Sequence, residues 1–210
     1  HLCSRKSLQG MAEQRKPRSG IGCGKSFVSS ILKECYSIPV YDCDSEAKRL
    51  MSSDEGIRGK LIGLVGEEVY SGKVLNRKLL ADFLFSHADN AQCVNAIVHP
   101  AVWSDFLRWA KDQRCPLVAL ESAILFECGF NAIMDYVLFV DAPEDVRLHR
   151  AMQRDSASEE QIRARMSMQH PEEYRQLSDF IVDNSRSDDK SLHEVLNRIL
   201  NEIKRNAVIN

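Results

Sequence analysis

The sequence predicts an α/β fold built on a mostly parallel sheet, and three observations predict it. Two continuous apolar runs, "PLVALE" around Leu117–Glu121 and "DYVLFVDAP" ending at Asp141, read as strands covered on both faces. Helical patterns alternate with the strands along the chain, the arrangement of crossover-connected parallel strands. A glycine-dense turn, "SGIGCGKS" at 19–26, opens straight into the first helical pattern.

The elements follow in order. Residues 1–18 are polar, basic and without periodicity, so they are expected to be irregular; Met11 is expected to be the natural start, with either a vector remnant or upstream read-through before it. The predicted domain, single, runs from 19 to 210. A helix is expected from Ser26 to about Cys35, with Phe27, Val28, Ile31 and Leu32 facing inward. "SIPVYD" reads as a short strand ending at Asp42, its proline confined to the start. Asp44–Met51 reads as a helix capped by Asp44 or Ser45. From Glu55 to Trp109 the pattern is mainly helical, with a kink or break expected at Pro100, which lacks an N–H donor. After the strand at Leu117–Glu121 and the one ending at Asp141, "PEDVRLHRAMQRD" reads as a helix with Pro143 at its first turn and acids before basics. Ser158 and Gln161 spell a capping box. "DFIVDN" is a further strand, and Leu192, Val195, Leu196, Ile199, Leu200 and Ile203 mark a closing amphipathic helix.

Composition bounds the function. The 210 residues carry a formal net charge of -2, with 44% hydrophobic and 28% charged residues. That balance argues against a general nucleic-acid or membrane-surface binder, and no apolar run approaches the ~20 residues of a membrane span. The N-terminal stretch has no apolar core of a secretory signal. Seven cysteines, an odd number without CxxC spacing, argue against a disulfide scaffold or zinc site and for a reducing cytosol.

The glycine loop carries the first chemical signal. Gly20, Gly22 and Gly24 flank Ile21 and Cys23, a density that lets backbone N–H groups turn inward around phosphate oxygens. Lys25 can then reach the β- and γ-phosphates of a nucleotide, Ser26 can hold Mg²⁺, and the helix that follows aims its positive end at the anion. The strict GxxxxGK[ST] pattern has glycine where this chain has Ser19, and the same spelling also suits an ordinary glycine turn. Residues 11–18 are poor material for the buried strand that feeds such a loop. Some backbone pairing is nonetheless expected there to complete the sheet, the alternative being an unpaired, inactive form.

Asp42 and Asp44 stand at the carboxyl end of a strand, where ligands bind in open α/β sheets. One carboxylate can orient an attacking hydroxyl or take its proton and the other can support Mg²⁺; either can instead cap a helix. Arg150 and Arg154 lie four apart on one helix face and suit a transferring phosphoryl group, as Arg163 and Arg165 do unless they simply face water. His99 before Pro100 is either a substrate contact or a satisfied interior histidine. Glu127 either lines the pocket or is a plain surface carboxylate.

Taken together, "SGIGCGKS", "PVYDCDSEAKR", "SGKVLNRKLLADFLF", His99-Pro100, "AILFE" and the pair "FVDAPEDVRLHRAMQRD" and "DFIVDN" resemble, in order, the motifs of the dephospho-CoA kinases. The resemblance runs from about Gly20 to Lys204. It implies a P-loop kinase-type three-layer sandwich: a mostly parallel five-stranded sheet, a helical substrate-binding subdomain and a lid. It implies transfer of the γ-phosphoryl of ATP, with Mg²⁺, to the ribose 3′-hydroxyl of dephospho-CoA. By resemblance Asp44 is the base, Lys25 and Ser26 serve ATP and Mg²⁺, and Arg150 and Arg154 close over the phosphates. Asn184 falls at the adenine end, and Asp42, Arg77, His99 and Glu127 on the acceptor side. Where the family reads D-V-P, this chain has Glu121-Ser122-Ala123, which keeps an acid for the metal or the acceptor. Another small nucleotide kinase, or a nucleotide binder without transfer, is the alternative.

Overall fold

The computed structural model describes residues 2–4, 21–87, 89–126, 128–155, 157–167, 171–185 and 189–209. Strand β1 (Leu2–Ser4) is followed by helix α1 (Lys25–Tyr36), β2 (Val40–Asp42), α2 (Cys43–Ser53) and α3 (Glu55–Val65). A hairpin of β3 (Tyr70–Ser71) and β4 (Val74–Leu75) leads to α4 (Arg77–Ser86) and α5 (Asn90–Asp112). Then come β5 (Leu117–Glu121), β6 (Leu138–Asp141), α6 (Glu144–Asp155), α7 (Glu159–Ser167), α8 (Pro171–Gln176), β7 (Phe180–Asp183) and α9 (Asp189–Ile209). The described residues form two compact units, one within His1–Val40 and Cys115–Asn210, the other Tyr41–Arg114. No helix among them is long and apolar enough to cross a membrane.

The first unit holds the α/β core. β6 and β7 pair in parallel, Leu138 opposite Phe180 through Asp141 opposite Asp183. β5 stands between β1 and β2. Val28, Ile31 and Leu32 of α1, Leu138 and Val140 of β6, Val182 of β7 and the α9 stripe Leu192, Leu196, Ile199, Leu200 and Ile203 share one buried cluster. That stripe recurs at three- and four-residue spacing, which puts it on one helical face. A smaller cluster joins Leu148 and Ala151 of α6 to Ile162 and Met166 of α7, with Ile21 of the glycine turn packed against it. The capping box forms at the start of α7: Ser158 N–H donates to Gln161 Oε1 at 3.1 Å and Gln161 N–H to Ser158 Oγ at 3.3 Å.

Three expectations are corrected. Phe27 is 44% exposed rather than inward, because the buried stripe of α1 is Val28, Ile31 and Leu32 and residue 27 lies one step off it. Part of the stretch expected to be irregular, Leu2–Ser4, is a strand, antiparallel to β5 with Leu2 opposite Ala119 and Ser4 opposite Leu117. A buried strand must satisfy both edges of its ladder, and β5 uses these residues to do so. Residues 11–18, where pairing was expected, lie outside the described residues. Among the described residues the ladders run in two hydrogen-bonded pieces, β1-β5-β2 and β6-β7, within the α/β fold that the sequence predicts. Finally, of the kink or break expected at Pro100, the break does not occur: α5 runs unbroken from Asn90 to Asp112 with Pro100 inside it. Pro100 and Ala96, whose carbonyl loses its i+4 donor, are both exposed, so that carbonyl is on the solvent side of the helix, while Val94, Val98, Val102 and Phe106 stay buried at four-residue steps.

The second unit is helical. α2, α3 and α4 all pack on α5, burying Leu50, Ile57, Leu61, Leu80 and Phe106. Asn76 caps α4, its Oδ1 accepting from Leu79 N–H at 3.1 Å, and Asp54 does the same for α3 through Ile57 N–H at 2.9 Å.

Candidate active site

The glycine turn of the first unit is shaped by two left-handed residues, Gly22 at φ 75° and Gly24 at φ 86°. Neither tolerates a side chain. A Cβ on Gly22 would lie 2.2 Å from the Arg147 carbonyl oxygen, and one on Gly24 would lie 2.1 Å from Asn184 Nδ2. Gly24 is also the N-cap residue of α1 and brings no side-chain oxygen to its first turn, which leaves that helix end open to an anion. Cys23 between them is buried, 1% exposed. Its carbonyl accepts from Asn184 Nδ2 at 2.9 Å, and its Sγ lies 3.7 Å from Lys25 Nζ.

Two further groups converge on the same turn. Ser26 Oγ donates to Glu121 Oε1 at 2.6 Å, joining the first turn of α1 to the carboxyl end of β5. Arg150 Nη1 donates to the Asn184 carbonyl at 2.8 Å, and Asn184 N–H donates to the Asp141 carbonyl at 2.8 Å. Loop, β7 end and α6 are thus tied together through one asparagine that is 3% exposed. Arg154 pairs with Asp155 at 2.7 Å. The Asp155 carboxylate, ahead of the other nearby groups, strengthens the hold of Arg154 on its proton, and Cys23 adds to this from the loop.

In the second unit, Asp42 and Asp44 sit at the β2–α2 junction. The expected cap is corrected here. Asp42, extended at φ -88° and ψ 103°, caps α2: its Oδ1 accepts from Asp44 N–H at 3.0 Å and Ser45 N–H at 3.4 Å, and its Oδ2 from Ser45 Oγ at 2.5 Å. Asp44 itself is exposed in the first turn. Arg77 is exposed at the start of α4, after the Asn76 cap. His99 is half-buried on α5, and burial holds its imidazole below the usual range.

The structure therefore brings together Ile21, Gly22, Cys23, Gly24, Lys25, Ser26, Arg150 and Asn184 in one unit, and carries Asp42, Asp44, Arg77 and His99 on the other. Gly20 and Glu127 lie outside the described residues. Arg163 and Arg165 are engaged elsewhere, with Glu144 and Glu159 and with Asp155. Arg147, which sequence reading passed over, meets the loop through its main-chain carbonyl, a contact with no side-chain signature. The grip of Asn184 on the Cys23 carbonyl was likewise invisible, since 161 residues separate the two.

Among the described residues no three His, Cys, Asp or Glu side chains converge on a point. The oxygen donors at the loop are the Ser26 hydroxyl and the Glu121 carboxylate. Hard oxygen donors in small number suit Mg²⁺, which draws most of its ligands from water and phosphate.

The family model described as dephospho-CoA kinase matches residues 18–190. A dephospho-CoA kinase of Porphyromonas gingivalis is 47% identical over 154 residues, 73% of this chain and 76% of its own. One of Bacteroides fragilis is 43% identical over 167 residues, 79% of this chain and 81% of its own. Among solved structures, one from Thermus thermophilus superposes with a TM-score of 0.76 at 34% identity, over 88% of this chain and 94% of that one. A dephospho-CoA kinase from Campylobacter jejuni, 23% identical, shares the fold with a TM-score of 0.65 over 90% of this chain and 96% of its own. Matched along most of its length, this chain belongs to the dephospho-CoA kinase family, which phosphorylates dephospho-CoA with ATP to give coenzyme A.

Proposed function

We propose that this chain performs the family reaction with the γ-phosphoryl of ATP passing to the ribose 3′-hydroxyl of dephospho-CoA, and with the following division of labour. The turn from Gly20 to Ser26 wraps the ATP phosphates with main-chain N–H groups, aided by the open N-terminus of α1. Lys25 supplies the ammonium charge over the phosphates. Ser26 and Glu121 would hold Mg²⁺, whose charge would offset that on the phosphoryl oxygens. Arg150 and Arg154 neutralise charge that spreads over the phosphoryl group as it moves. Asp44 takes the proton of the acceptor hydroxyl, and Asp42 shapes the turn that presents it. Arg77, His99 and Glu127 serve the acceptor side.

The observation that carries this reading is the glycine turn itself. Two left-handed glycines are packed so tightly that no side chain fits, ahead of a helix end with no cap of its own. Purified chain incubated with ATP, Mg²⁺ and dephospho-CoA should form coenzyme A, followed by mass spectrometry. Lys25→Ala should lower kcat/KM by roughly 10²–10³-fold, the range for loss of one pre-placed charge-stabilising group. A folded chain that binds ATP but forms no coenzyme A rejects transfer. One observation favours that second reading, a nucleotide binder without transfer: β5 takes an antiparallel partner from Leu2–Ser4, whereas a phosphate loop ordinarily leaves a strand running parallel to its neighbours.

A further inference from the structure

One side-chain cluster of the second unit is left unused by the mechanism. Tyr41 is 2% exposed, and its hydroxyl donates to Asp105 Oδ2 on α5 at 2.8 Å and approaches the Val102 carbonyl at 3.4 Å. Its ring meets Phe106 edge-on at 5.4 Å and Trp109 at 5.3 Å. The same Asp105 carboxylate accepts from Arg49 of α2 and from Arg108 at 3.1 Å, and Arg49 also pairs with Glu46. These groups line a groove of about 590 Å³ between α2 and α5. One carboxylate on α5 therefore holds both β2, at its central residue Tyr41, and the body of α2, at Arg49. Burial first, then Asp105, raises the Tyr41 phenol far above its ordinary range, so it remains a donor.

Asp44 lies between those two anchors in the chain. At 100° per residue Glu46 is about 200° and Arg49 about 140° around α2 from Asp44. The clamp thus grips the face of α2 opposite Asp44. A side-chain tip about 5–6 Å from the helix axis moves roughly 1 Å for a 10° roll of the helix. A misplacement of about 1 Å is enough to lower a rate on the order of 10²-fold.

We infer that Tyr41, Asp105 and Arg49 form a positioning clamp that sets the roll of α2 and thereby the place of the Asp44 carboxylate. This rests on the reading of Asp44 as the base. Tyr41 touches no reacting atom; it acts through α2. The clamp depends on the phenol hydroxyl, which Phe at 41 would lack while keeping the ring packing.

The test is a cycle of Tyr41→Phe and Asp44→Asn, with kcat and both KM values measured on folded full-length chain. Tyr41→Phe should lower kcat at least tenfold with the KM for ATP within twofold of the parent. In the Asp44→Asn background the same change should lower kcat less than twofold, because the group it positions is gone. A merely structural loss would lower both backgrounds alike, and that result overturns the clamp. Asp105→Asn, which keeps the size of the side chain, should repeat the pattern and serves if Tyr41→Phe folds poorly. Should Asp44→Asn alone leave kcat unchanged, Asp44 is not the base and the clamp falls with it. Should Asp44→Asn lower kcat while Tyr41→Phe and Asp105→Asn leave it within twofold of the parent, only the clamp falls.

Discussion

Gly24 and Asn184 should prove energetically coupled, although 160 positions separate them. In Gly24→Ala the new residue keeps φ 86°, a left-handed strain of about 1–2 kcal/mol. Its Cβ also falls 2.1 Å from Asn184 Nδ2, so the amide must leave. Leaving breaks its 2.9 Å bond to the Cys23 carbonyl, and an unsatisfied buried acceptor costs about 1–3 kcal/mol. Gly24→Ala should therefore cost about 2–5 kcal/mol and Asn184→Ala about 1–3 kcal/mol. Both changes lose the same hydrogen bond, so the double variant should be more stable than the sum of singles by about 1–3 kcal/mol. Urea unfolding of the four proteins measures this, with melting temperature as a second readout at roughly 2–4 °C per kcal/mol for a chain of this size. Additivity within about 0.5 kcal/mol refutes the reasoning, because it means the amide of Asn184 neither holds the Cys23 carbonyl nor crowds position 24.

Two further outcomes are expected. Asp42→Ala should destabilise the chain by about 0.5–2 kcal/mol through loss of the α2 cap, and Asp42→Ser should recover most of it in the same unfolding assay; equal losses in both variants would remove the cap from the account. His99 is held neutral by burial, so its folded pKa lies below the unfolded value of about 6.5. Its contribution to stability is then complete above about pH 6.5 and is lost as pH falls from there toward the depressed folded value, since only the unfolded chain takes up the proton. His99→Gln should flatten the decline between pH 7.5 and 5.5 in urea midpoints, and unchanged slopes would show that this histidine is not the titrating group.

Much of the site was legible because its chemistry is local in sequence. Gly22, Gly24, Lys25 and Ser26 are consecutive or nearly so, and a turn of that composition before an amphipathic run can do few other things. The strands at Leu117–Glu121 and Leu138–Asp141 were legible for a similar reason, since continuous apolarity marks burial on both faces. The α9 stripe was carried by spacing alone.

What the sequence determined, then, is which short segments become loop, strand and helix, and which of them carry the groups proposed to handle phosphate, because those depend on neighbours within a few positions. Only the tertiary structure decided that Asp42 caps α2 while Asp44 stays exposed, since extended backbone at 42 makes its side chain the acceptor. It alone decided that Asn184 grips the Cys23 carbonyl, that Ser26 meets Glu121, and that Leu2–Ser4 pairs with β5. Each of those is a hydrogen bond or ladder between distant positions, closed by whichever group packing brings within about 3 Å, and local periodicity carries no record of such a choice.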